Sequence, residues 1–242
     1  MARSELVALS HEVDETQVWP LVQRRTLREP LAYVLGEWGF RRLTLRCDPR
    51  ALVPRPETEV LVERCLELLR GIDEPRVLDV GTGAGAIALA LADEAGARVV
   101  ATDVSEDALS LARENAARTG QAVELVHGDV REGTPPGPFD LVVSNPPYVR
   151  AEEWEQLQPE VREWEPREAL VDDGQTAAIV GHALEVLRPG GSLVLEVHEA
   201  AARDVRDALE AAGYRDCRIG LDLAARDRVV EGIRNDGDVR HS

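Results

Sequence analysis

The chain has 242 residues, 44% of them hydrophobic, which suits one substantial core and a small appendage. Acidic residues outnumber basic ones 45 to 28, giving a formal charge of −17, and all 28 basic residues are arginine. A generic polyanion is therefore not an expected partner, because binding a nucleic acid backbone requires cations that neutralise phosphates; the acidity equally fits a high-salt surface or a coding bias with ordinary solubility. The longest apolar run, "GAIALALADEAG", is too short for a bilayer and "MARSELVALSHEVDE" lacks a signal-peptide core, so no membrane contact and a cytoplasmic address are expected. Cys47, Cys65 and Cys217 lack C-x-x-C spacing and the five histidines do not cluster near them, so plain thiols are expected, without disulfides or metal.

In chain order, Gln17 to about Leu35 reads as helix, and "GEWGFRRLTLRCDP" alternates as a hairpin does. From residue 76 the pattern becomes strand, turn, helix, repeated. "RVLDV" reads as a buried strand, "GAIALALADEA" as a helix, "ARVVATD" as a strand and "SEDALSLARENAART" as a helix capped by Ser105. "AVELVHGD" and "FDLVVSN" continue the strands. A polar segment with Trp154 and Trp164 follows, then a helix from about Thr176 to Leu187, "RPGG" as a turn and "SLVLEV" as a strand. A helix near Ala201 to Ala212 precedes two closing strands, "YRDCRIG" and "DRVVEGIR", and the tail "NDGDVRHS" is expected to fray. Alternating β and α units predict an α/β fold with a mainly parallel, Rossmann-like sheet, helices on both faces and ligands at the carboxyl ends of the strands.

Most of the unusual motifs fall at such ends. In "LDVGTGAGAIALA", Gly81, Gly83 and Gly85 allow close backbone approach and leave helix N–H groups pointing at a ligand. Gly81, Gly83 and Ala86 also satisfy a dinucleotide fingerprint. Asp79 tilts the choice, since a carboxylate suits an ammonium group, such as that of S-adenosylmethionine, better than a pyrophosphate; it could instead simply receive N–H bonds from the loop. Asp103, about twenty residues on, can accept both ribose hydroxyls of an adenosine ligand of either kind. Asp129 and the amide of Val130 would flank an adenine ring, and both aspartates could also serve as turn residues.

The segment "SNPPY" ends its strand with more fixed geometry than termination needs. Pro146 and Pro147 lock φ and contribute no N–H, so the backbone offers carbonyl acceptors in set directions, and Asn145 adds a side-chain carbonyl. Together these can receive both hydrogens of a planar –NH2 group, with the ring of Tyr148 against its face. A purely structural turn is the alternative. "VPRPETEVLVE", from Val53, reads locally as a helix start, with a proline in the first turn and Glu57, Thr58 and Glu59 after it.

In combination, "GEWGF", "LVPRPETE", "LDVGTGAGAIALALA", "SNPPY", "PEVREWEPREAL" and "DRVVEG" resemble the HemK/PrmC family, the peptide chain release factor glutamine N5-methyltransferases, over roughly residues 29–234. N-P-P-Y is shared with adenine and cytosine amino-methyltransferases, whereas P-R-P-E-T-E is far more particular to the glutamine enzymes. The resemblance implies a class I methyltransferase in which Gly81, Thr82, Gly83, Ala84, Gly85, Asp103 and Val130 bind S-adenosylmethionine. It further implies that Asn145, also beside the methyl donor, together with Pro146, Pro147 and Tyr148 holds the substrate amide, and that Phe40, Arg55, Glu57 and Thr58 line the pocket beside the glutamine. The expected organisation is a short helical segment over 1–35, reduced relative to the family's docking domain, a hairpin linker over 36–54 and the methyltransferase domain over 55–242. The expected reaction is methyl transfer to the side-chain amide of a Gly-Gly-Gln glutamine in a release factor, without direct nucleic acid binding, and Glu57 and Glu196 are candidates to take the departing proton. An adenine or cytosine amino-methyltransferase and a non-catalytic adenosine-binding regulator are the alternatives.

Overall fold

A computed structural model describes residues 15–235, so the terminal tail from residue 236 lies outside the described residues. Helix α1 (Glu15–Thr26) and the short α2 (Leu31–Leu35) replace the single helix expected over this stretch. The break falls at residues 27–30: Arg28 is left-handed (φ +67°), and Pro30 cannot continue the helical ladder and disfavours helical backbone in the residue before it. Strands β1 (Glu37–Phe40) and β2 (Leu43–Arg46) form the expected antiparallel hairpin.

Helix α3 (Pro56–Leu69) starts with Pro56 in its first turn, where no N–H is needed, and with Glu57 and Glu59 near its positive end. Then come β3 (Arg76–Val80), α4 (Ala86–Ala95), β4 (Arg98–Asp103), α5 (Glu106–Thr119), β5 (Val123–His127) and β6 (Phe139–Ser144). The expected Ser105 cap forms, its Oγ accepting from Ala108 N at 3.2 Å. After two 3₁₀ turns and the short α6 (Pro159–Arg162), the chain ends in α7 (Gln175–Val186), β7 (Leu187–Glu196), α8 (Ala202–Ala212), β8 (Tyr214–Leu221) and β9 (Asp227–Arg234). The "RPGG" stretch lies inside β7 rather than in a separate turn: Phe139 pairs with Leu187 and Leu141 with Ser192, so the extra residues are taken up by a register shift.

The seven-stranded sheet has the order β5-β4-β3-β6-β7-β9-β8, parallel through β7, with β9 antiparallel to both neighbours. Strand residues alternate between two cores as the pleat requires. Val77, Val99, Leu141, Val143 and Val194 pack under α3 and α4, and Leu78, Val100, Val142, Leu193 and Leu195 pack under α7 and α8. The chain goes one way from β3 to β4 and the other way to β6, which opens a crevice at the carboxyl ends of β3 and β6. Ser144 Oγ donates to Val80 O at 2.6 Å across that point and keeps the two strand ends together.

Candidate active site

The turn after β3 owes its shape to glycines at φ +72° (Gly81), +56° (Gly83) and +85° (Gly85). At Gly85 a Cβ would also meet Leu89 Cδ1 at 3.2 Å and Ala112 Cβ at 3.3 Å, so a side chain there would push α4 from α5. The sequence reading has loop N–H groups facing a ligand, but most of them bond within the protein. Gly81 N and Thr82 N donate to Thr102 O, both at 2.9 Å, Gly83 N donates to Asp103 Oδ2 at 2.8 Å and Gly85 N donates to Thr82 O at 2.9 Å. What Gly81 and Gly83 leave open is the Cα side of the turn, which lines a cavity at the carboxyl ends of the strands.

Asp79 lies fully buried beneath this turn rather than in the cavity wall. Its Oδ2 accepts from Thr82 Oγ1 at 2.7 Å and from Ala88 N at 3.2 Å, while Oδ1 has no partner. Burial pushes this carboxyl up to about 7, against the pull of those two hydrogen bonds. Buried Asn115 ties the same turn to the hairpin, donating to Ala84 O at 2.9 Å and Arg46 O at 3.2 Å and accepting from Arg46 N at 2.7 Å.

The cavity, about 840 Å³ with part of it open to solvent, runs from the turn across the ends of β4 and β5 to β6. Asp103 reaches it with one oxygen held by Gly83 N and the other by Ser105 N at 2.9 Å, and burial raises its pKa. Asp129 and Val130 line it as well, but the Asp129 carboxylate is engaged by Arg131, whose Nε lies 3.0 Å from both oxygens and holds its pKa below the ordinary value. Asn145, Pro146 and Pro147 complete the β6 side. The sequence reading missed Arg50, Ala51 and Leu52 after the hairpin and Ile179 on α7, all of which line the cavity. They sit in no motif, and only the folded topology brings them there.

A second group of expected residues gathers beside Asn145 rather than in that cavity. Asn145 Nδ2 donates to Thr58 Oγ1 at 3.3 Å, and the carboxylate of Glu196 at the end of β7 is 1% exposed with its Oε2 without a partner. Burial lifts Glu196 to about 6, while Thr58 and the Arg228 charge pull it down. Tyr148 is half-buried, its ring 6.1 Å from that of His198. Arg55 holds the buried Glu165 at 2.5 Å, and Glu57 pairs with Arg226 at 3.2 Å on the outside. Phe40 is 1% exposed and packs in the core under α3, outside the cavity lining.

A crevice at the switch point, a glycine turn after the first strand of the sheet and a carboxylate ending the next strand belong to the class I S-adenosylmethionine-dependent methyltransferases, and the fold is theirs. A methyltransferase from Pyrococcus furiosus superposes with a TM-score of 0.62 over 92% of this chain and 100% of its own, at 19% identity. A T. thermophilus 16S rRNA methyltransferase in complex with AdoMet and guanosine does so with a TM-score of 0.61 over 82% of this chain and 50% of its own, at 22% identity. Residues 56–212 match the methyltransferase small domain. The release factor glutamine methyltransferase of Deinococcus radiodurans is 46% identical over 230 residues, which cover 92% of this chain and 81% of that one. The chain belongs to the release factor glutamine methyltransferase family.

Proposed function

We infer that this protein transfers a methyl group from S-adenosylmethionine to the side-chain amide nitrogen of a glutamine in a peptide chain release factor, in the cytoplasm. The observation that carries the reading is the joint between two sets of residues: Asn145 lines the cavity reached by Gly81, Gly83 and Asp103 and also bonds Thr58 at the start of α3. One residue thus borders both the space for a methyl donor and the P-R-P-E-T-E helix start.

The residues present fit S-adenosylmethionine. The Asp103 oxygens keep lone pairs for ribose hydroxyls, Asp129 and Val130 suit an adenine edge, and the unpartnered Asp79 Oδ1 beneath the turn, outside the cavity wall, favours a positive ammonium group above it through its charge. Bound there, it supplies an electrophilic methyl on a sulfonium. The chain's own task is the acceptor. An amide nitrogen is a poor nucleophile because its lone pair is delocalised, so the –NH2 must be oriented and its growing positive charge stabilised. Asn145 Oδ1 and the Pro146 carbonyl accept its two hydrogens, and these bonds strengthen as the nitrogen becomes cationic. Tyr148 closes one face of the amide, and near-attack placement supplies much of the rest. The segment ahead of the hairpin serves in this reading as contact surface for the factor.

Labelled methyl transfer to purified release factor, run beside RNA and DNA, tests the reading. Transfer to the factor alone is expected, and transfer to nucleic acid alone would replace it with the amino-methyltransferase alternative.

A further inference from the structure

Leu223 is 94% exposed, the most exposed large apolar side chain among the described residues, and Leu221 two positions before it is 55% exposed. Leu221 ends β8 and Leu223 lies in the turn that leads to β9. A single exposed leucine is ordinary, but two held out by one fixed turn call for a partner. The fixing group is Asp222 between them, whose side chain is 2% exposed. Its Oδ1 accepts from Ala224 N at 2.8 Å and Arg226 N at 3.0 Å, its Oδ2 accepts from Arg226 Nε at 2.9 Å, and its own N–H donates to Arg226 O at 2.9 Å. These bonds fix the backbone that carries both leucines.

The turn stands on the acceptor side of the sheet. Strand β9 runs antiparallel to both β7 and β8, so β8 is parallel to β7 and its carboxyl end shares a rim with the ends of β6 and β7. Val229 pairs with Glu196 on one side and Gly220 on the other. Arg226 Nη2 reaches from the turn to Glu57 Oε1 at 3.2 Å, and the next residue, Thr58, meets Asn145. Leu221 also opens a groove of about 710 Å³, part of it open to solvent, whose apolar lining is completed by Val60, Ile219 and Val229. The groove runs along α3, the helix whose first turn carries Thr58.

We propose that Leu221, Leu223 and this groove form a contact surface for the polypeptide flanking the target glutamine of the release factor, an inference that rests on the acceptor site proposed above. A glutamine inside a protein chain brings its neighbours across the rim with it, and the surface beside Asn145 and Thr58 is continuous through Glu57 and Arg226 with the two leucines. Apolar side chains of a polypeptide gain by covering them. A nucleic acid strand would instead need free cations. Arg64 is held by Glu231 at 2.5 Å and Glu67 at 2.6 Å, Arg226 by Asp222 at 2.8 Å, and Arg228 lies 3.6 Å from Asp222; Arg218 is the exception among the described residues of the groove.

The test measures kinetics on whole release factor and on a short Gly-Gly-Gln peptide, for wild type and for a double variant, Leu221→Ser with Leu223→Ser. Leu223→Asp alone, at the more exposed position, is the second variant if the double one fails to fold. The KM for whole factor should rise about 10-fold, the loss of one to two partly buried leucine contacts. At saturation kcat should stay within about two-fold, because contacts remote from the reacting amide are lost equally from ground and transition states. Methyl-donor affinity by calorimetry and kcat/KM on the short peptide should also stay within about two-fold. A whole-factor KM unchanged in the folded variants would overturn the surface. An equal loss on the short peptide would place the effect in the acceptor site and overturn it as well. Sedimentation of the same proteins covers the other occupant: a wild-type dimer that the variant dissociates, with KM unchanged, would assign the leucines to a second copy of this chain. Failure of wild type to methylate the factor at all would overturn the function reading and this surface with it, whereas methylation with an unchanged KM overturns the surface alone.

Discussion

Gly83 donates its backbone N–H to Asp103 Oδ2 at 2.8 Å, which ties the turn after β3 to the end of β4. Ser105 N holds the other oxygen at 2.9 Å, which makes Asp103 at once the brace of the glycine turn and a wall of the cavity. A carboxylate used twice in this way cannot be replaced without effects on both shape and binding.

Asp103→Ala should therefore weaken S-adenosylmethionine by about 10- to 100-fold, the size of one or two hydrogen bonds to a charged group. Asp103→Asn, which keeps one carbonyl acceptor, should lose less. Calorimetry gives the affinities, and kcat at saturating methyl donor should change far less than KM. An alanine variant that binds the methyl donor like wild type would remove Asp103 from the cofactor site.

Asp79 leads to a prediction of opposite signs for stability and binding. Its pKa in the folded chain is raised to about 7, above the ordinary carboxylate range, so the folded state holds the proton more tightly than the unfolded one. That contribution to stability is full below the ordinary aspartate range and is lost as pH rises through about 7. Asp79→Asn should raise Tm of the ligand-free protein at about pH 8 and do little at about pH 4. The same change should weaken the methyl donor, because it removes the unpartnered negative oxygen. Wild-type affinity should also fall as pH drops below about 7, a slope the asparagine variant should lack. Parallel pH profiles for the two proteins would rule this out.

Arg55 and Glu165 form a pair 2.5 Å long that pins the segment between β6 and α7 against the start of α3. Burial raises the Glu165 pKa and Arg55 lowers it, so removing the arginine leaves a carboxyl that prefers to be neutral. Arg55→Ala should cost about 1–3 kcal/mol, less than for a fully buried pair because Arg55 is partly open to water. Glu165→Gln should cost less, since its amide oxygen still accepts from Arg55. Thermal denaturation distinguishes the two, and equal losses would mean that the charge is not what matters.

Asn145→Ala should leave methyl-donor affinity nearly intact while lowering single-turnover rates by about two to three orders of magnitude, as for the loss of one charge-stabilising partner. Rates within a few-fold of wild type would remove Asn145 from the acceptor site.

Much of the sheet was legible because period-two alternation and glycine turns are local signals: β3 to β6 and the closing pair β8 and β9 fall where the pattern puts them. The "RPGG" turn was misjudged because β6 draws Leu187 into the sheet, a partner that a window of sequence does not contain. The break in the amino-terminal helix is different: Pro30 lies within the stretch read as helix, and its local signal was passed over. In the candidate site, Asn145, Pro146 and Asp103 could be singled out because they end predicted strands. Thr58 was reached only through family resemblance, since it lies 87 residues from its partner Asn145. Nothing in the sequence distinguishes Phe40 in the core from Phe40 in a pocket wall, and only the packing under α3 does so.

Mass spectrometry of purified release factor, after incubation with this protein and S-adenosylmethionine, tests the central claim most directly. The account predicts one added methyl group, located by fragmentation on the side-chain amide of the Gly-Gly-Gln glutamine and absent when Asn145→Ala is used for the same short time. A factor left unmodified by active, methyl-donor-binding protein, or a methyl group on any other residue, would contradict it.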